Sequence, residues 1–282
     1  MIRQPAVAGS FYEGNRERLI DSIKKSFSSK FGPGSLKETK DMIIAAVSPH
    51  AGYFYSGAAA SFVYSNLAKR DWQGTIVLLG FSHQGLGTGV SQTDWKTPLG
   101  IIETDKDWLS RINKLLPVDD RVHSYEHSIE VQLPFIQFIA CEFNQKIKVL
   151  CISVGRETKS ENIANALLQT EKVEAVYIAS SDFTHYGHRF GYAPYARNAK
   201  EKMKEVDLKI ADTIITLDIT KFDELLDSTE ATVCGTSPIR ALMYLLKLKN
   251  AKTGKILKYY TSGDVIGDYE DMVGYCSIVW ER

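Results

Sequence analysis

Apolar positions along the chain fall into short strand-like runs separated by stretches with helical spacing. An amphipathic helix is predicted over 15–27, with Leu19, Ile20, Ile23 and Phe27 on one face. Strands are predicted over 42–48, 75–80, 146–154, 173–180, 256–262 and 272–280. Helices are predicted over 57–67, 106–115, 128–141, 161–168, 195–216, 222–226 and 237–248. Central runs such as TIVLL and EAVYIA are rich in β-formers and apolar on both faces, the pattern of strands covered by helices on both sides. The alternation predicts a single-domain α/β sandwich around one mostly parallel or mixed sheet, spanning 1–282. No repeat or low-complexity tract divides it, and the one soft spot is 28–40, centred on Gly32-Pro33-Gly34.

The residues just past the strands are more informative than the strands themselves. IIAAVS runs into Pro49-His50, TIVLLG into Phe81-Ser82-His83, and AVYIASS into Asp182-Phe183-Thr184-His185. Ligands of open α/β sheets bind outside the carboxyl ends of the strands, so three strand ends carry a histidine to one rim. Imidazoles from neighbouring ends, about 4.8 Å apart, can meet on one metal ion.

Composition narrows the partners. Thirty-four Lys and Arg balance thirty-four Asp and Glu, giving zero formal net charge. That removes the electrostatic footprint of a protein that grips nucleic acid or anionic lipid without sequence preference. Apolar runs fall far short of the ~20 residues of a membrane helix, and the first residues lack the apolar region of a secretory signal. The expectation is no nucleic acid and no membrane. Four scattered cysteines with no CxxC pair match reduced, cytoplasmic usage. Cys141, Cys151 and Cys276 lie in apolar patterns and read as inert.

The rim residues offer specific chemistry. His50 in SPHAGYFYSG reads as a metal ligand or as a helix cap, and His83 in GFSHQGLG as a second ligand. Asp182 and His185 are three residues apart. On one helical turn they would face the same way, the carboxylate holding the imidazole's tautomer for acid/base work; otherwise Asp182 caps a helix. Cys234 precedes a helix start, where a thiol's pKa is lowered. It reads as a third metal ligand, as a nucleophile paired with His185, or as a buried inert thiol. His123 and His127 are spaced i, i+4, but Glu126 precedes the second histidine, so the match to HExxH is superficial. The helix is predicted to begin near His127, leaving it at the rim as a proton carrier, with Glu126 and Glu130 as orienting or helix-stabilising carboxylates.

Taken in order, PAVAGSFY, SPHAGYFYSG, GFSH, EHSIEVQLPF, SSDFTHYG and CGTSP resemble the Memo family over nearly the whole chain. Its eukaryotic members are named as mediators of receptor-driven cell motility. The resemblance implies a fold similar to class III extradiol dioxygenases of the LigB type. It implies His50, His83 and Cys234 as ligands of one iron or copper ion, with zinc as a further option. Asp182 and His185 would line the same pocket. A radical-SAM protein is the partner that the naming of microbial relatives implies. Ring-cleaving relatives hold iron with two histidines and a carboxylate; a cysteine in that third place is a softer ligand with different redox behaviour.

Three functions fit these residues. The first is a metal-dependent oxidoreductase in which His185, Asp182 and His127 manage protons. The second is a module that binds a small molecule or peptide without turnover, through the same pocket and Tyr53, Tyr55 and Tyr186. The third is a Cys–His hydrolase.

Overall fold

The computed structural model describes residues 1–40 and 42–281. Its strands are β1 (Ile2–Arg3), β2 (Ile43–Ser48), β3 (Gln73–Phe81), β4 (Gly89–Val90), β5 (Asp94–Thr97), β6 (Gly100–Ile102), β7 (Lys146–Val154), β8 (Ala175–Ser180), β9 (His185–Tyr186), β10 (Lys255–Thr261) and β11 (Met272–Glu281). Its α-helices are α1 (Arg16–Ser28), α2 (Tyr53–Ser65), α3 (Lys106–Ile112), α4 (Leu133–Glu142), α5 (Ser160–Thr170), α6 (Ala199–Ile215), α7 (Ile219–Thr229), α8 (Thr236–Leu248) and α9 (Ser262–Ile266).

The main sheet runs β10-β11-β2-β8-β3-β7-β4, and β9 pairs with β11 outside that path. Strands β2, β8, β3 and β7 are mutually parallel, whereas β11 is antiparallel to β2 and to β10, and β4 to β7. The sheet is therefore mixed, as the alternation of elements predicts. β1, β5 and β6 form a separate small sheet.

Period-two alternation explains how helices cover both faces. Ile76 and Leu78 of β3 pack with Leu19, Ile23, Tyr64 and Phe135 from α1, α2 and α4. Val77 and Leu79 of the same strand pack with residues of α3, α5 and α8 on the other face. Each such side chain, fully buried, contributes roughly 1.5–3 kcal/mol of transfer free energy. Among the described residues no helix is long and apolar enough to cross a membrane.

Element ends differ from expectation where local chemistry outweighs periodicity. The helix predicted from 57 begins at Tyr53, because its backbone N–H finds the Phe11 carbonyl at 2.8 Å. The helix predicted over 128–141 splits into a 3-10 turn at Glu130–Gln132 followed by α4, whose first turn holds Pro134. The helix predicted from 195 starts only at Ala199, after Asn198 in a left-handed conformation.

Two topological facts place the rim. Leaving β2 the chain passes to α2 on one face, and leaving β8 it passes to α6 on the other. Neighbouring strands whose connections diverge leave a crevice at their carboxyl ends. His50 and His83, however, do not come from neighbouring strands: β8 lies between β2 and β3.

The N-terminal segment reaches this rim because a buried carboxylate holds it. Glu130 pairs with Arg3 and accepts the backbone N–H groups of Ala6 (2.8 Å) and Val7 (3.0 Å) and the Tyr12 hydroxyl (2.6 Å). Removing it would leave the Arg3 charge hydrogen-bonded only to carbonyls, those of His123 and Glu126 among them, and strand two amides and the Tyr12 hydroxyl. Glu130→Ala is therefore expected to destabilise the protein by about 3–5 kcal/mol in urea denaturation.

Candidate metal centre

His50 is buried where the chain leaves β2. The Asp182 carboxylate accepts its backbone N–H at 2.8 Å and that of Ala51 at 3.3 Å. Its ring Nδ1 lies 3.1 Å from the Ser180 hydroxyl. That hydroxyl donates to the Ser128 carbonyl at 2.6 Å and accepts from the Gln132 amide at 2.8 Å. The single hydroxyl proton is thus committed, so Nδ1 carries the proton and Nε2 keeps its lone pair. Gln132 is itself fixed: its oxygen accepts from Ser48 (3.0 Å) and Tyr64 (2.6 Å), and its nitrogen also donates to the Pro49 carbonyl (2.9 Å).

His83 is anchored by one carboxylate at two points. Glu126 accepts its backbone N–H at 2.7 Å and its Nδ1 at 2.9 Å, which again leaves Nε2 as the free lone pair. Glu126 also accepts the backbone N–H groups of His127 and Ser128, both at 2.9 Å. Burial alone would raise its pKa, but the bonds from His83 and Ser128 outweigh it and hold the group at about 2. His127 stands 3.4 Å from the same carboxylate, its ring 4.4 Å from His83 and 4.7 Å from Phe11, centroid to centroid. The sequence suggests Glu126 as a partner of His127; its closer partner is His83.

The pairing of Asp182 with His185 does not form. Residues 182–184 are irregular and 185–186 form β9, so no helical turn aligns the two side chains, and Asp182 caps no helix. Asp182 instead ties down the backbone of His50 and Ala51. His185 Nδ1 faces the carbonyls of Phe183 (3.0 Å) and Thr232 (3.2 Å); both only accept, so Nδ1 is protonated and Nε2 is free here too. Thr232 exchanges two further bonds with the His185 backbone, and Asp207 of α6 holds Thr184 at 2.5 Å.

Cys234 reaches the rim from the turn before α8. Gly235 fits there because a Cβ would collide with Ser181, whose hydroxyl accepts the Gly235 N–H at 2.9 Å. The sulfur lies 3.2 Å from His50 Nε2. Its contacts are with His50, Asp182 and Ser181, so the Cys234–His185 pair, one of the three readings the sequence allows, does not form. Nor is its pKa lowered by the helix start: burial, then the Asp182 charge, push the thiol well up. A cation at the sulfur would offset both.

One donor atom each from His50, His83 and Cys234 lies within 4.8 Å of the other two. A tetrahedral ion with bonds of about 2.1 Å to nitrogen and 2.3 Å to sulfur holds its donors roughly 3.5 Å apart, so the set fits such an ion with small adjustments. His83, Glu126 and His127 also cluster within 4.8 Å, but four N–H groups already occupy Glu126, which acts as an anchor. Burial and neighbouring histidines push His50 well below its ordinary pKa, and burial, then His83, bring His127 to about 4. Both rings are neutral at pH 7, with lone pairs to offer.

The histidines at 50, 83, 127 and 185 line one open cavity of about 490 Å³, together with Phe11, Tyr55, Phe190 and Arg189 among others. Sequence reasoning missed Ser180, Gln132, Thr232 and Phe11. Ser180, Gln132 and Phe11 carried a signal, since they sit within SSDFTHYG, EHSIEVQLPF and PAVAGSFY; Thr232 carried none.

Fold and rim together define an α/β protein with a histidine-lined cavity at the carboxyl ends of a mixed sheet and a cysteine in contact with one of those histidines. A profile of the family described as Memo-like protein matches residues 3–279. The chain is 37% identical to a MEMO1 family protein of Methanopyrus kandleri, with 100% of both chains covered. It is 38% identical to one of Methanosarcina mazei (99% of each) and 39% identical to one of Methanosarcina barkeri (99% of this chain, 100% of that one). The chain belongs to the Memo-like family. A solved structure of an uncharacterized protein from Escherichia coli K12 gives a TM-score of 0.45 at 13% identity, over 84% of this chain and 99% of that one.

The depressed pKa of Glu126 sets a pH dependence. The folded value lies below the ordinary 4.5, so its contribution is fully present above about pH 4.5 and lost as the pH falls towards about 2. Glu126→Gln is expected to cost roughly 3 kcal/mol at pH 6, with the gap to the native protein narrowing by pH 3 in denaturation titrations.

Proposed function

We propose that this protein is a metal-dependent redox protein or oxidoreductase that holds one iron or copper ion through His50, His83 and Cys234. The observation that carries this reading is the convergence of three donors whose availability the surrounding hydrogen bonds fix. Ser180 keeps the proton of His50 on Nδ1, Glu126 does the same for His83, and both Nε2 lone pairs remain. Iron or copper bound by two imidazoles and a thiolate supplies one-electron chemistry with positions left open for a small molecule.

The remaining rim residues handle binding and protons. His185, its Nδ1–H held by two carbonyls, presents Nε2 to the cavity as a proton acceptor. His127, kept neutral by burial, accepts or relays a second proton. Asp182 fixes the backbone that carries His50. Phe11, Tyr55 and Phe190 give a small-molecule substrate an apolar seat and exclude water around it. A Cys–His hydrolase built on Cys234 and His185 is disfavoured, because the half-buried thiol has its pKa pushed up and faces His50 instead.

Anaerobically purified protein is expected to carry about one iron or copper per chain, lost in His50→Ala and in Cys234→Ala. Stoichiometric metal surviving both changes would overturn the ligand assignment, and full occupancy by zinc would overturn the redox reading. Metal with tight ligand binding but no turnover under any redox condition would favour the binding module. Ser180→Ala, which frees the His50 tautomer without touching a ligand atom, is expected to weaken metal affinity about 10–100-fold in a chelator competition titration.

A further inference from the structure

The main sheet ends differently on its two sides. Beyond β7 lie β4 and the small sheet, which bridges to the main one between Thr104 and Val149. β10 pairs with β11 on one side and, among the described residues, with no strand on the other. It is the long open edge of the fold. From Lys258 onward its side chains alternate between faces. The Tyr260 ring stacks on Phe31 at 4.8 Å on the α2 face, whereas the Tyr259 hydroxyl donates to Asp207 of α6 at 2.7 Å on the opposite face. A recess of about 250 Å³ takes Phe31, Lys258 and Tyr260 from the first face and Lys200, Lys204 and Tyr259 from the second. A recess walled from both faces straddles the strand, so it runs along the open side of β10.

Its charge is one-sided. A second recess of about 460 Å³ shares Phe31 and Tyr260 with it and adds Lys25, Lys30 and Glu13. Five lysines in the two recesses face two carboxylates, Glu13 and Asp264, in a chain whose formal charges cancel. Lys200 pairs with Asp264 at 2.5 Å. Among the described residues Lys204 and Lys258 have no carboxylate partner; the Lys258 ammonium lies 5.9 Å from the centre of the Phe31 ring and 5.8 Å from that of Phe62.

We propose that the β10 edge accepts an extended acidic segment of a partner protein as an added strand. Main-chain bonds to β10 would supply affinity, carboxylates would meet Lys204 and Lys258, and an apolar side chain would enter beside Phe31. Edge lysines repel most strands, so the same residues that protect the edge from aggregation select an acidic one. A second copy of this chain is a poor occupant, because two β10 edges paired about a two-fold axis would set like lysines against each other.

The probe is a labelled ten-residue peptide alternating glutamate and valine, followed by fluorescence anisotropy and by amide hydrogen exchange on the full chain. Binding with Kd at or below about 1 mM is expected, with slowed exchange at Lys255–Thr261. The double variant Lys204→Glu, Lys258→Glu should bind at least about tenfold more weakly while melting as the native protein does. If it does not fold, Lys204→Glu alone, at an exposed position, should weaken binding in the same direction. Equal binding by a lysine–valine peptide, or by a glutamate–proline peptide that lacks alternate amide donors, would overturn strand addition. So would unchanged affinity in the folded variant, absence of binding, or protection of β10 that tracks protein concentration instead of peptide.

Discussion

A buried hydroxyl, that of Ser180, joins the parts of this fold that matter for its chemistry. It sits at the carboxyl end of β8, between the strands that deliver His50 and His83, and it touches the Ser128 carbonyl, the Gln132 amide and the His50 ring. A buried polar group without partners costs about 1–3 kcal/mol, so a rim rich in such groups is stable only when the network closes. Closing it leaves no freedom in the His50 tautomer. The constraint that stabilises the sheet end also decides which ring nitrogen faces the cavity.

The same logic repeats with different residues. Glu126 does for His83 what Ser180 does for His50, and two carbonyls do it for His185. In each case Nδ1 is bound to the scaffold and Nε2 is turned outward. His50, kept neutral by burial, and the Cys234 thiol, kept protonated by burial, then approach to 3.2 Å without repelling one another.

The chain's alternation of apolar runs made the sandwich legible, because covered strands leave a local signature in TIVLL and EAVYIA. Placing His50 and His83 at one rim was legible as well, since strand ends share a rim, whereas Cys234 lies between two helices and was assigned to them only by the family resemblance. The position of β8 between β2 and β3 was not, because strand order is a non-local property that periodicity does not encode. The spacing of Asp182 and His185 misled because an i, i+3 interval has meaning only on a helix, and the backbone there is irregular and then extended. Ser180, Gln132 and Thr232 escaped notice for another reason: serine, glutamine and threonine are common everywhere, and only burial turns them into anchors. The open edge of β10 was invisible for the same reason as the strand order.

The contact between His50 and Cys234 spans 184 positions of sequence, and Phe11 packs on His127 from near the chain's beginning. The cavity itself draws on residues far apart in the sequence, from Phe11 to Tyr275. A nascent chain that has not yet released Cys234 has β2, β3 and β8 but lacks the sulfur that packs against His50, so the rim is completed only after residue 234 has emerged. Closure of the rim is in that sense a report that segments far apart in the sequence have been made and have found one another.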